Sequence, residues 1–241
     1  MGLTVLMYHN VSAERSDGLT IPFARLDQQF GYLSRAGYRS LLFSELKRLH
    51  AQQRNLPGKT LILTFDDAYR SYREFVVPLL LKYGFSANLF VPVSYIGQIN
   101  LWDGGTEAIL TNEELQEVSL AGHTEIGIHS FAHTSYSDMD EQAIEQDLEN
   151  CLQHLSGAGI PFVRVLAYPY GAIPRRDKRR MESLNGIFQR TGLDFALRIG
   201  NRINPWPLRN PYQIQRIDIK GTDSFFRFRL KLIRYVAKRL P

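Results

Sequence analysis

Short apolar runs alternate along this chain with longer stretches whose apolar residues recur at helical spacing. Residues 3–7 read as a first strand, and Leu26, Phe30 and Leu33 mark one face of a helix over 25–36. Residues 38–42 suggest a further strand, and Ser44 is placed to cap a helix over 45–50. The run 61–65 shows no polar alternation, as expected of a strand buried on both faces in a parallel sheet. A helix over 72–83 follows, with Pro78 inside it as a kink or restart and Gly84 at its end. A strand returns at 86–91, and segments 113–120, 125–128, 141–155, 163–167, 182–190 and 195–199 continue the alternation. Strands separated by helical segments predict serial βα units and a parallel sheet or barrel. The longest irregular pieces, 97–105 and 200–211, each carry one of the two tryptophans. No repeat or Pro/Gly-rich linker divides the chain, so one main domain is expected.

In parallel α/β architectures, reactive groups gather beyond the carboxyl ends of strands. Four polar clusters fall at such ends: Tyr8-His9, Asp66-Asp67, His129-Ser-Phe-Ala-His133 and Tyr168-Pro-Tyr-Gly171. Singly, each has an ordinary reading. A strand-end aspartate often caps the next helix, and a lone His-x-x-x-His recurs by chance. The aspartate pair and the histidine pair would bring two carboxylates and two imidazoles to one end of the sheet. That set can hold one divalent metal and leave a carboxylate free for proton transfer. The chemistry predicted is that of a metal-dependent hydrolase.

The order Thr-Phe-Asp-Asp, Gly-Ile-His-Ser-Phe-Ala-His, Ala-Tyr-Pro-Tyr-Gly resembles the polysaccharide deacetylase family, also called NodB-homology or carbohydrate esterase 4. The similarity runs over about residues 3–219 and implies an α/β fold, a distorted (β/α) barrel of seven parallel strands. By resemblance, Asp67, His129 and His133 bind the metal, usually Zn2+, with Co2+ or Ni2+ as alternatives. Asp66 is then the general base for metal-bound water, and the Tyr170 backbone N–H helps hold the oxyanion. Ser130 is expected to hydrogen-bond nearby rather than act as a nucleophile. Two positions depart from the common pattern. Ala167 stands where many members carry arginine, and no histidine follows His154. Both departures resemble the poly-β-1,6-N-acetylglucosamine deacetylase branch, which takes its acid from an early histidine. His9 is accordingly expected to protonate the leaving amine, the alternative being a hydrogen bond to a loop. Arg216 is a candidate for orienting Asp66, with Arg164 the weaker one. Trp102, Tyr168 and Tyr170 are candidate saccharide contacts, though Trp102 could instead anchor its own loop. The implied activity is de-N-acetylation of N-acetylated amino sugars. The alternatives are hydrolysis of a non-sugar amide and an inactive saccharide-binding module.

Composition changes this picture little; charge changes it at one end. An apolar content of 44% with 22% charged residues is ordinary for a globular domain, and Cys151, the only cysteine, excludes an internal disulfide. The formal net charge is +5, and residues 222–241 alone carry it, with six Lys/Arg against Asp223. A neutral body with a basic end argues against nucleic acid as a partner. The expected division is therefore 1–221 as the deacetylase-like domain and 222–241 as a basic amphipathic segment. On a helical wheel Phe225, Phe226, Leu232, Ile233, Val236 and Leu240 gather opposite Arg227, Lys231, Arg234 and Lys238. The segment reads as a helix closing on the barrel or lying on an anionic membrane surface, and its alternation over 226–232 also permits a strand. The cluster Arg175-Arg-Asp-Lys-Arg-Arg180 reads as a solvated helix face, with contact to an anionic substrate as the alternative. The start of the chain shows no leader pattern. The expected location is the cytoplasm or the inner membrane face, or outside if a leader was removed. Oligomeric state is unreadable.

Overall fold

The apolar runs become the staves of a closed barrel. The structure, a computed structural model, describes residues 2–174 and 177–237, with side chains to 232. Seven parallel strands form the ring: β1 (Gly2–Tyr8), β2 (Thr60–Phe65), β3 (Ala87–Val91), β4 (Thr124–Ile128), β5 (Phe162–Ala167), β6 (Phe195–Ile199) and β7 (Ile214–Asp218). β1 pairs in parallel with both β2 and β7, which closes it. A register shift between Ile126 and Ile128 distorts the β4–β5 edge.

One stave differs from the expected set. The strand expected at 38–42 shrinks to Arg39–Ser40, which pairs only with the start of β2 and lies outside the ring. The seventh position belongs to β7, whose Ile-Gln-Arg-Ile-Asp does not read as an apolar run. It is a barrel strand all the same, because the arginine that breaks its pattern points inward to a buried acid. The helix expected over 72–83 divides at its proline into a π-helical turn, Tyr72–Val76, and α3 below. Pro78 has no N–H to give the preceding turn. Ser44 does not cap its helix, which begins one residue earlier at Phe43.

Helices wrap the ring: α1 (Phe23–Arg35), α2 (Phe43–Ala51), α3 (Val77–Tyr83), α4 (Asn112–Leu120), α5 (Glu141–Gly157), α6 (Lys178–Arg190) and α7 (Phe225–Ala237). Period-two alternation then sorts each strand. Leu61, Leu63 and Phe65 face the helices, whereas Ile62 joins Leu3, Val5, Phe90, Val165, Phe195 and Ile214 inside. α2 plugs the amino end of the barrel, with the Phe43 ring 6.2 Å from Phe90 and 5.8 Å from Phe195. Apolar packing therefore fills the bottom. At the carboxyl end the inward rows of β2 and β7 turn polar, at Thr64 and Arg216.

Residues 222–241 contain α7 to Ala237; 238–241 lie outside the described residues, as do Arg175 and Arg176. α7 is helical, not a strand. Its buried side is Phe228 and Leu232, while Phe226, expected on the apolar face, is turned outward.

Candidate active site

Strand parity decides which side chains reach the cavity. On β2 the inward row is Ile62, Thr64, Asp66. On β7 it is Ile214, Arg216, Asp218, and from β1 it continues through Met7 to His9. These rows end in a cavity of about 320 Å³ at the carboxyl mouth, lined among others by His9, Asp66, Asp67, His129, His133 and Arg216. Asp67 has outward parity, but the chain turns at φ 72° and brings it back to the cavity. Ser130 (φ 62°), His133 (φ 53°) and Tyr170 (φ 58°) are also left-handed. Such a backbone costs on the order of 1 kcal/mol or more per non-glycine residue and persists where the surroundings enforce it. Here it is concentrated around the cavity.

Arg216 and Asp66 form the innermost pair. Both are almost fully buried, and Arg216 donates from Nη1 to Oδ1 at 2.6 Å and from Nη2 to Oδ2 at 2.8 Å. Burial pushes the Asp66 carboxyl up, but Arg216, then His129 and His9, outweigh it and hold Asp66 below the usual carboxylate range. Asp66 Oδ2 lies 3.9 Å from both His9 Nε2 and His129 Nε2. The guanidinium that Ala167 cannot provide thus arrives from β7. Arg164 is remote, donating to the Thr191 carbonyl.

The second carboxylate faces the two imidazoles. Asp67 Oδ1 lies 3.5 Å from His129 Nε2 and 3.2 Å from His133 Nε2, yet receives no hydrogen bond although it is buried. His129 Nδ1 lies 2.7 Å from the Ala167 carbonyl, which can only accept, so this nitrogen carries the ring proton. Burial lowers the His129 pKa to about 4. The neutral ring therefore directs an Nε2 lone pair at a carboxylate oxygen. Two buried acceptors facing one another are stabilised by a cation between them. The pKa of Asp67, raised by burial but lowered more by contact with His133 and the nearby His129 and His9, falls to about 2, so the ligand is anionic. The ligand atoms of the three residues lie within 4.8 Å of one another. Two of the separations are close to the ~3.4 Å edge of a tetrahedron with metal–ligand bonds near 2.1 Å. Asp67, His129 and His133 fit a divalent metal.

The surrounding residues hold this set in shape. His133 stacks on Trp102 at 4.5 Å and 19°, and its Nδ1 shares a hydrogen bond of 3.2 Å with the Tyr170 hydroxyl. Trp102 therefore lines the cavity while packing against a candidate ligand. Ser130 Oγ accepts from Thr134 N–H inside the histidine loop. Gly171 is left-handed, and a Cβ there would sit 2.4 Å from Ile199 Cγ1, which explains the glycine that closes Tyr-Pro-Tyr-Gly. Tyr168 requires a correction as a saccharide contact. Its parity is that of Leu166, so it faces the helices, fully buried, and donates to the Tyr212 carbonyl at 3.0 Å.

Three participants escaped the sequence reading. Asp218 and Asp103 also line the cavity. Asp218 was signalled by its i, i+2 relation to Arg216, which becomes informative only once that stretch is known to be a strand. Asp147 on α5 is the third. It accepts from Phe131 N–H at 2.9 Å and from the Tyr136 hydroxyl at 2.6 Å, and so clamps the loop between the histidines and α5. An Asp147→Ala substitution strands two buried donors, each worth about 1–3 kcal/mol. A loss of roughly 2–4 kcal/mol in denaturant unfolding is expected, with about tenfold or more weaker zinc binding as the loop loosens.

The polysaccharide deacetylase family model matches residues 53–186. YxkH of Bacillus subtilis is 25% identical over 169 residues, covering 70% of this chain and 57% of its own. The poly-β-1,6-N-acetyl-D-glucosamine N-deacetylase of Escherichia coli K12 is 27% identical over 246 residues, covering 93% of this chain but 34% of its own. The chain thus spans little more than half of one relative and a third of the other. Among solved structures, IcaB from Ammonifex degensii superposes with a TM-score of 0.77 at 24% identity, covering 94% of this chain and 95% of its own. The Streptococcus pyogenes deacetylase PplD gives 0.77 at 20% identity over 98% of both chains. These likenesses establish the barrel fold. The family match takes in more than half the sequence, including both adjacent aspartates and both cavity histidines, and this chain belongs to the polysaccharide deacetylase family.

Proposed function

We propose that this protein removes acetyl groups from N-acetylated amino sugars of a polysaccharide or saccharide precursor, with zinc or another divalent metal as cofactor. The observation that carries this is the buried convergence of Asp67, His129 and His133 beside a second, ionised carboxylate, Asp66. The Escherichia coli relative is named for N-deacetylation of such a polymer, which supports the substrate class.

Held by these three side chains, a divalent metal would supply Lewis acidity, polarising the acetamide carbonyl and making a water more acidic. The chain's own groups do the remaining work. Asp66, fixed by Arg216, takes a proton from the attacking water. As negative charge grows on the acetyl oxygen, the Tyr170 backbone N–H donates to it. His9 lies beside Asp66 at the partly open cavity wall. It gives a proton to the amine nitrogen as the C–N bond breaks and acetate departs. Trp102 and Tyr170 offer ring surface to the sugar at the mouth.

Acetate release from N-acetylglucosamine oligomers tests the proposal. The zinc-loaded protein is expected to release acetate, and His9→Ala is expected to lose turnover by about 10²–10⁴-fold while retaining zinc. Full activity in that variant would remove His9 as the acid. No acetate from any N-acetylated saccharide would overturn the function itself.

A further inference from the structure

We propose that the outer face of α7 docks on an anionic phospholipid surface, setting the barrel mouth beside the lipid headgroups. The inference is independent of the deacetylase chemistry.

Among the described side chains, the inner face of α7 is packed. Phe228 and Leu232 are buried, and Phe225 and Phe228 pack edge-on against Tyr32 of α1 at 5.7 and 6.4 Å. The outer face is not covered. Phe226 is 69% exposed and Leu230, one turn later, is 39% exposed. An exposed apolar pair at i, i+4 is a short ridge, and Arg227 and Arg229 flank it, both exposed. Arg227 Nε lies 3.2 Å from the buried Asp223, and Arg229 lies over the Tyr32 ring at 5.4 Å. Both cations are thus fixed beside the ridge.

Charge singles out this segment of the chain. The net +5 resides in residues 222–241, and the rest of the chain is formally neutral. Apolar side chains set between cations match a headgroup layer, where the ridge enters the acyl boundary and the cations meet lipid phosphates. Nucleic acid would use the cations but leave the ridge in water. Among the described residues no helix is long and apolar enough to cross a membrane, so the contact is superficial.

The start of α7 also ties the ridge to the mouth. Gly221, four residues before α7, accepts from Ser16 Oγ and Arg25, and a Cβ on it would overlap the Thr20 carbonyl. That seats the turn against the loop whose Leu19 lines the cavity. Leu19 and Leu101, beside the cavity residue Trp102, are exposed at this same end. Phe226, in the first turn of α7, therefore sits at the mouth end of the barrel.

Co-sedimentation of the full chain with vesicles tests the docking. Binding is expected to phosphatidylglycerol/phosphatidylcholine vesicles, to be absent with phosphatidylcholine alone, and to weaken as salt is raised. Phe226→Ser/Leu230→Ser should abolish it. Arg229→Glu should weaken it by about fivefold or more, since each basic residue near such a surface is worth about 1 kcal/mol. Phe226, Arg227, Arg229 and Leu230 are all exposed, so these variants should melt as the wild type does and keep its activity. Equal binding to both vesicle types, no binding to anionic vesicles, or variants that bind unchanged would each overturn the proposal. So would a concentration-dependent dimer lost in Phe226→Ser/Leu230→Ser, which would make the ridge a contact between copies.

Discussion

Asp66→Asn is expected to lower turnover by about 10²–10⁴-fold, the usual worth of a positioned general base, and to cost stability as well. The stability loss follows from burial. Arg216 is 1% exposed and gives both terminal nitrogens to Asp66. Once the carboxylate is neutral, the guanidinium is an uncompensated buried charge, and breaking such a pair costs about 3–5 kcal/mol. Arg216→Met strands the opposite charge and should cost a similar amount. The double variant Asp66→Asn/Arg216→Met removes both charges together. It should recover much of the lost stability, while turnover stays at the level of Asp66→Asn. Denaturant unfolding of the four proteins, read as a double-mutant cycle, separates pairing from catalysis. Additive losses would show that the pair is not coupled in the way its geometry requires.

Chelation and zinc reconstitution should shift the melting temperature through Asp67, His129 and His133. A ligand at 100 times its dissociation constant adds about 2.7 kcal/mol, which in a domain of this size is roughly 5–10 °C. Asp67→Ala and His133→Ala should abolish both the shift and a stoichiometry of about one zinc per chain. His9→Ala should leave both intact, because His9 is not among the three converging residues that could hold the metal. A zinc-insensitive wild type with no specific uptake would remove the metal centre, and with it the proposed hydrolysis.

Much of the barrel was legible because a parallel strand buried on both faces writes itself as an apolar run. Six of the seven staves were visible that way. β7 was not, because a single inward arginine and its polar neighbours erase the pattern. The short edge pair at Arg39–Ser40 shows the reverse error, in which an expected stave lies outside the ring. The cavity residues were legible because strand ends cluster rare side chains, so the two aspartates, His129, His133 and His9 could be named without coordinates.

What the sequence by itself determined is the alternation of strands and helices, the residue types at each strand end, and the concentration of positive charge in the last twenty residues. Only the tertiary structure decided how these groups face one another. Arg216 meets Asp66 across 150 residues of chain because barrel closure places β7 beside β1 and β1 beside β2. Tyr168 turns to the helices because it shares parity with Leu166. Phe226 turns to solvent because Phe225 and Phe228 take the place against Tyr32 of α1. Local pattern is a one-dimensional property set by backbone periodicity. Facing direction and partnership depend on ring closure and packing, which no short window of sequence contains.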